Sequence, residues 1–237
     1  MNRVIAIDGP SGAGKSTLAK ALAERLGFGY LDTGALYRAV ALKLRESGLT
    51  EGSGDEAISP VLSDTTVDNS HGRTYLDGTD VSDKIRSTTA GYWASVFSAR
   101  PVVRQYLLNV QREVAQKQEI VAEGRDMATV VFPGAWKKFY VTADEHARAR
   151  RRYDQLNAEV SASISASISA DVSSSGKPEA PPSTNVTLKE ALDDVSGRDA
   201  RDSQRSHSPL AMAVDAYEID TTALSVEEAL QEMLKVL

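Results

Sequence analysis

The sequence predicts an α/β fold in which a parallel β-sheet is flanked by helices. Three features of its first 26 residues support this prediction. Val4–Ile7 is a short apolar run of mostly β-branched residues, typical of a strand buried on both faces. A glycine-rich loop follows at once, and behind it Leu18, Leu22 and Leu26 recur every four residues, which predicts a helix with one apolar face. A strand, a loop and a helix in this order open a parallel α/β sheet.

The glycine-rich loop fits the pattern Gly-x-x-x-x-Gly-Lys-Ser/Thr of P-loop NTPases. Its glycines let successive backbone N–H groups surround the oxygens of a β-phosphate, and Lys15 adds a positive charge. The hydroxyl of Ser16 is placed to bind the Mg²⁺ that bridges the β- and γ-phosphates. A glycine-rich turn with an incidental lysine is the alternative. The residues predicted to bind the nucleotide are Gly9, Pro10, Ser11, Gly12, Ala13, Gly14, Lys15, Ser16 and Thr17.

Composition narrows the class of protein. A chain of 237 residues can form one α/β domain with insertions. It has no cysteine, which fits a reducing cytoplasm. The chain leads almost directly into its first strand, so we expect no signal peptide, and no apolar run in the sequence approaches the length of a membrane span. Its net charge of −6 argues against sequence-independent binding of nucleic acid. We expect a cytoplasmic monomer without nucleic-acid or membrane partners.

The next hundred residues add an inserted unit to this core. Residues 30–34 resemble a short strand that runs into a turn, and a second helix follows from Leu36 to near Gly48 with Arg38 in its first turns. After a loop at 51–54, Asp77-Gly78 between extended segments predicts a β-hairpin. An antiparallel hairpin does not belong to a parallel core, so residues from about 64 to 100 are predicted to form part of a subdomain on the substrate side.

Buried strands then alternate with helices. Pro101 opens a helix, and residues 120–122 form a strand of the buried type that ends in the polar run 123–126. Open α/β sheets bind ligands at the carboxyl ends of their strands, which makes this run a candidate site. A further strand is predicted at 139–142, followed by a helix that carries the arginines at 148 and 150–152.

From about Ala158 the composition changes to low complexity. Ser-Ala-Ser-Ile occurs at 161–164 and again at 165–168, before a stretch rich in serine and proline. The alternation allows a strand, but low complexity favours a mobile loop. Thr187-Leu188-Lys189-Glu190 has the form of a capping box that starts a helix, residues 216–220 predict a last strand, and Ser225 caps a closing helix.

Five segments together resemble the bacterial cytidylate kinases, a family of P-loop nucleoside monophosphate kinases. The segments are Ile7–Thr17, Leu31–Arg38, Gly124–Met127, Thr129–Pro133 and Arg198–Asp202. The resemblance implies one P-loop kinase domain over 1–237. Within it, an insertion at about 38–100 would bind the monophosphate and contain the small antiparallel sheet. A lid region would lie at 150–196 and contain the low-complexity insertion at about 158–186. It implies transfer of a phosphoryl group from ATP to CMP or dCMP, with Mg²⁺, to give CDP or dCDP.

The resemblance also implies roles for individual residues. Lys15, Arg125, Arg148 and Arg151 would be catalytic. A carboxylate at Asp126 suits cytosine, because it accepts a hydrogen bond from the N4 amino group and repels the O4 of uracil. No general base is needed, since the attacking phosphate oxygen is already ionised. The implied contacts are Arg38, Arg125 and Arg205 with the acceptor phosphate, Thr33, Arg104 and Asp126 with cytosine, Ser95, Arg198 and Asp202 with the ribose, and Arg148, Arg151 and Arg152 with ATP.

Other interpretations stay open at this point. The arginines could form surface ion pairs, and the basic helix could be merely solvated. The acceptor could be UMP, another nucleotide or a metabolite that is not a nucleotide. A P-loop switch is a further alternative, although the guanine-reading motif Asn/Thr-Lys-x-Asp is missing from the sequence. Ala128 stands where the family usually has glycine, which could shift the loop after Asp126.

Overall fold

A computed structural model describes residues 2–70, 72–171, 186–205 and 208–237. None of the helices in these ranges has the length and hydropathy that a membrane span requires. The strands are β1 (Val4–Asp8), β2 (Gly29–Asp32), β3 (Val67–Ser70), β4 (Arg73–Leu76), β5 (Thr79–Asp80), β6 (Ile120–Glu123), β7 (Lys137–Thr142) and β8 (Tyr217–Asp220). The helices are α1 (Lys15–Leu26), α2 (Thr33–Glu46), α3 (Asp55–Ser63), α4 (Thr88–Phe97), α5 (Pro101–Lys117), α6 (Glu145–Asp171), α7 (Leu188–Ser203) and α8 (Val226–Leu234).

The core is a five-stranded parallel sheet in the order β2-β6-β1-β7-β8, which confirms the predicted α/β class. Every residue of β1 is buried, and its side chains alternate between two apolar layers. Val4 and Ala6 belong to the layer covered by α2 and α5, whereas Ile5 and Ile7 belong to the layer covered by α1 and α8. The strand order places the ends of β1 and β6 side by side, directly beneath the glycine-rich loop.

The predicted hairpin lies in a separate three-stranded antiparallel sheet, β3-β4-β5. Asp77 and Gly78, at its turn, have φ values of 49° and 77°, the left-handed conformation that two-residue hairpin turns require. Helix α2 links this sheet to the core. Helix α3 was not predicted, because Pro60 lies inside it and its apolar pattern is short.

The prediction of a loop from Ala158 is wrong for residues 158–171, because α6 continues through both Ser-Ala-Ser-Ile repeats to Asp171. Alanine has the highest helix propensity, which favours the helix, and the hydroxyl of Ser161 is satisfied within it by donating to the carbonyl of Asn157 at 2.8 Å. Residues 172–185, with the rest of the predicted loop, lie outside the described residues. The Asn157 side chain donates to the Val186 carbonyl at 3.2 Å and accepts from its amide at 3.0 Å, so it holds the two ends of the segment together.

Candidate active site at the carboxyl ends of the central strands

The glycine-rich loop joins β1 to α1. Gly9 has a φ of 146°, and a Cβ there would lie 1.9 Å from the carbonyl oxygen of Val141. Gly14 is left-handed at the N-terminus of α1. These two positions require glycine, because β7 approaches the loop from behind and the chain turns sharply into the helix. The loop therefore curls over the end of β1, with the first backbone N–H groups of α1 facing outward.

Lys15 is the charged group of the loop, and only 6% of it is exposed. Its Nζ donates to the carbonyl of Pro10 at 2.6 Å. Burial, followed by the positive charge of Arg125, lowers the pKa of Lys15 to about 7, against the opposing effects of Glu123 and Asp8. The lysine is thus held where an anionic oxygen would restore its charge.

Ser16 donates its hydroxyl to the Oε2 of Glu123 at 2.9 Å, and the Tyr30 hydroxyl donates to the other carboxylate oxygen. Burial, followed by the charge of Asp32, raises the pKa of Glu123. A hydroxyl and a carboxylate are oxygen ligands of the kind that Mg²⁺ prefers, so this pair fits the metal that the loop implies.

One cavity of about 570 Å³ opens above the loop. Among the described residues that line it, eight side chains are basic and four are acidic, which gives a positive site in a chain whose net charge is −6. The predicted residues that the structure brings to this cavity are Ser11, Gly12, Gly14, Lys15, Ser16, Thr17, Thr33, Arg38, Ser95, Arg104, Arg125, Asp126, Arg151, Arg152, Arg198, Asp202 and Arg205.

The three arginines predicted for the acceptor phosphate meet in this cavity. Arg125 donates to Asp202 at 2.7 Å, and Arg205 donates to the other oxygen of the same carboxylate. Burial lowers the pKa of both arginines, that of Arg205 to about 10. Arg38 lies 3.5 Å from Asp32, and its buried Nε has no hydrogen-bond partner among the described residues. Three guanidinium groups that line one cavity favour the binding of an anion there.

Asp126 forms an ion pair with Arg104, and both side chains are largely buried. Arg104 also donates to the Ser98 carbonyl at 3.2 Å, which fixes its guanidinium. Thr33 directs its hydroxyl to the Glu123 carbonyl at 2.7 Å. Ala128, where a glycine was expected, fits the loop after Asp126 with 2% of its surface exposed.

The residues predicted for the ribose lie where α4 meets α7. Ser95 accepts a hydrogen bond from Arg201 at 2.9 Å, and Arg198 pairs with Asp194 on its own helix at 3.0 Å. A Cβ on Gly91 would lie 2.8 Å from the Arg198 guanidinium, so the side chain of Arg198 reaches across from α7 to α4 here.

The arginines of α6 differ from one another. Arg151 donates to the hydroxyl and the carbonyl of Thr221, at 2.9 and 2.6 Å, and Arg152 pairs with Asp194 at 2.9 Å; both line the cavity. Arg148 does not line it. Its guanidinium donates to the carbonyls of Ala143 and Ser11 and pairs with Asp199, which accepts the Ser11 amide at 3.2 Å. This arginine thus contacts the loop rather than the cavity, and the catalytic role implied for it stays a prediction.

The family model described as cytidylate kinase matches residues 5–175 and 177–237. The chain belongs to the cytidylate kinase family. A cytidylate kinase of Thermodesulfovibrio yellowstonii is 44% identical over 239 residues, which cover 99% of this chain and 97% of that protein. A cytidylate kinase of Thermotoga maritima is 43% identical over 232 residues, which cover 98% and 95%. A shikimate kinase from Bacteroides thetaiotaomicron is a distant structural neighbour, with 14% identity and a TM-score of 0.45 over 99% of this chain and 97% of that one.

Two acidic residues of this cytidylate kinase family member were given no individual role by the sequence: Glu123 was predicted only as part of the polar run 123–126, and Asp199 was not predicted to take part in the site. Glu123 contacts the phosphate loop through Ser16, and Asp199 holds the loop together with Arg148. A glutamate directly after the apolar strand 120–122 is a usable signal, because a buried carboxylate at a strand end is rare without a partner. Asp199 gives no such signal, since it lies in a helix with alternating charges.

Proposed function

We propose that the protein transfers the γ-phosphoryl group of ATP to CMP and dCMP, in line and without a covalent enzyme intermediate. The observation that supports the proposal is the positively charged cavity, whose lining includes residues of the glycine-rich loop, the arginines Arg38, Arg125 and Arg205, and the buried carboxylate of Asp126. Transfer between two phosphates needs these two halves, because charge develops on both the donor and the acceptor in a loose transition state.

On the donor side, the loop from Gly9 to Thr17 holds the β- and γ-phosphates through backbone N–H groups, and Lys15 supplies a charge. Ser16 would hold Mg²⁺ beside Glu123, and the metal, when bound, would neutralise charge on the β- and γ-phosphates. Arg148 keeps the loop in shape through the Ser11 carbonyl. Arg151, which reaches the cavity, is the better candidate for direct contact with the triphosphate.

On the acceptor side, Arg38, Arg125 and Arg205 bind the phosphate of CMP. The buried Nε of Arg38, which has no hydrogen-bond partner within the part of the chain that the structure describes, supports this assignment, because a buried donor without a partner costs stability unless a ligand satisfies it. Asp202 keeps Arg125 and Arg205 close together before the acceptor arrives. Positioning the two substrates in this way is the main contribution to the rate.

The base is read by Asp126 with Arg104 and Thr33. The Asp126 carboxylate can accept the N4 amino protons of cytosine, while Arg104 fixes the carboxylate and offers donors of its own to the ring. Ser95, Arg198 and Asp202 lie towards the ribose. In this proposal, residues from about 38 to 100 bind the monophosphate, and residues from about 150 to 196 act as the lid.

We also propose that the protein acts as a cytoplasmic monomer on small molecules, without nucleic-acid or membrane partners. Eight basic side chains line the cavity, while the chain as a whole has a net charge of −6; this charge distribution suits a small anionic ligand better than a nucleic acid and supports this view. Light scattering that gives a single species near the chain mass of 25.5 kDa would agree with it.

The test is an acceptor screen with ATP and Mg²⁺. We expect CDP and dCDP to form from CMP and dCMP, with UMP a much poorer acceptor. Asp126→Ala should lose most of the preference for CMP over UMP, whereas Asp215→Ala, which removes an exposed carboxylate paired with Lys138, should retain it. If ATP binds but neither CMP nor dCMP is phosphorylated, the proposal is wrong, and hydrolysis of ATP coupled to a protein partner would instead support a switch.

A further inference from the structure

Asp8 is a buried carboxylate to which the proposed mechanism assigns no role. It is the last residue of β1, directly before Gly9, and only 1% of it is exposed. Its two oxygens accept hydrogen bonds from the backbone amides of Met127 at 2.8 Å and Ala128 at 2.7 Å. Charge-assisted bonds of this kind, buried on both sides, are among the stronger ones in proteins.

The two amides open the single π-helical turn Met127–Val131, which begins immediately after Asp126. The carbonyl of Asp126 accepts bonds from the amides of Val130 and Val131 at 2.9 and 3.1 Å, so the same turn holds the backbone from the other direction. Backbone bonds therefore fix both the carbonyl of Asp126 and the chain that follows it. π-Helical turns occur often at functional sites, where they redirect one side chain.

The charges around Asp8 bear on why a carboxylate occupies this buried position. Burial raises the pKa of Asp8 to about 6, the two amide bonds oppose that rise, and of its charged neighbours Asp126 raises the pKa further while Lys15 lowers it. The side chain is thus mostly ionised at neutral pH although an apolar residue could fill its volume without the cost of desolvation.

We propose that Asp8 is a positioning residue for the acceptor base: it ties the turn after Asp126 to the strand that carries the phosphate loop, and so sets the discrimination between cytosine and uracil. The inference rests on the proposed function, because Asp126 is the group that it positions. When one of the two amide bonds is lost, a single bond holds the start of the turn to the end of β1, and the turn can shift the Asp126 carboxylate away from the N4 edge of the base.

The experiment compares the wild type with Asp8→Asn, which keeps the size of the side chain but offers an amino group to one of the two backbone donors. The matched control is Asp77→Asn, at another carboxylate that accepts a backbone amide, from Thr66 at 2.8 Å, in a left-handed turn where asparagine is well tolerated. For each protein, kcat/KM is measured with CMP and with UMP, and ATP binding is measured without an acceptor.

We expect Asp8→Asn to lower kcat/KM for CMP by at least about ten-fold, to reduce the CMP/UMP ratio by at least about five-fold, and to change ATP affinity by less than about two-fold. The control should keep the wild-type ratio. A ratio that stays at the wild-type value, or an equally large loss of ATP affinity, overturns the inference, because the carboxylate would then serve the fold or the phosphate loop alone.

The CMP/UMP ratio tests the role of Asp8 even where a variant folds poorly, because the ratio does not depend on how much of the variant is folded. Asp8→Ser, a smaller side chain with one acceptor oxygen, is measured beside Asp8→Asn. Activity of the wild type with CMP distinguishes failure of the proposed function from failure of the role proposed for Asp8. If the wild type does not phosphorylate CMP, the proposed function is wrong; if it does and Asp8→Asn has the wild-type ratio, only the role of Asp8 is wrong.

Discussion

The buried position of Lys15 predicts that ATP binding takes up a proton from solution. In the protein without nucleotide, burial and the charge of Arg125 lower the pKa of this lysine to about 7. A bound triphosphate places anionic oxygens beside the ammonium group and restores its ordinary pKa. The lysine is therefore largely neutral above pH 7 before binding and charged afterwards.

The size of the effect follows from the pKa. At about pH 8, only about one tenth of the unliganded molecules carry the charge, so binding should take up about 0.9 proton per nucleotide; at about pH 6 the uptake at this site should be about 0.1. The same shift affects stability. Between about pH 7 and the ordinary lysine pKa of 10.5, the unfolded chain binds more protons at this site, so the contribution of Lys15 to the free energy of unfolding rises with pH.

The assay is calorimetry of ATP binding, without an acceptor, at about pH 8 in buffers of different ionisation enthalpy. The slope of the observed enthalpy against the ionisation enthalpy gives the number of protons exchanged. Lys15→Arg is the control, because a guanidinium stays charged throughout this range and cannot take up the proton. Equal proton uptake by the wild type and Lys15→Arg would refute the reasoning.

Two further predictions concern the loop and the acceptor site. Gly9→Ala should destabilise the protein by at least about 3 kcal/mol, because the new Cβ would lie 1.9 Å from the Val141 carbonyl oxygen. The control is Gly134→Ala, whose Cβ meets no atom within 4 Å and which should therefore unfold near the wild-type temperature. Thermal unfolding compares the two variants, and similar midpoints would contradict the geometry. Arg125→Ala should lower kcat/KM for CMP by about 10²–10³-fold with little change in ATP affinity. The control Arg73→Ala, which breaks an exposed ion pair with Asp80, should leave kcat/KM for CMP unchanged. Normal kinetics with CMP in Arg125→Ala would show that Arg125 does not bind the acceptor phosphate.

The sequence predicted those parts of the fold that depend on neighbouring residues. The first strand, the glycine-rich loop and α1 follow from apolar spacing and glycine positions, and the Asp77-Gly78 hairpin follows from the conformation that its turn requires. The capping boxes at Thr187 and Ser225 are confirmed for the same reason, since each closes within four residues. The Ser-Ala-Ser-Ile repeat was misjudged because its alternation suits a strand and its low complexity suits a loop, while its alanine content supports a helix.

Contacts between distant residues could not be predicted from local patterns. Asp8 and Ala128 are 120 residues apart, and Ser16 and Glu123 are 107 apart. Both contacts exist because β6 pairs with β1, and the strand order is settled by the packing of the whole sheet. The resemblance indicated which residues surround the cavity, but it did not indicate that Arg148 turns its guanidinium towards the backbone of Ser11.

The two hydrogen bonds between Asn157 and Val186 have a consequence for how this chain can vary. They join the middle of α6 to the start of α7, so the distance between Arg152 and Asp194 does not depend on how many residues intervene. Because the entropy of closing a loop grows only slowly with its length, we expect insertions or deletions between 171 and 186, beyond the helical residues of α6, to cost little free energy. The insertion is thus a place where the sequence can drift while the arginines of α6 and α7 keep their positions around the substrates.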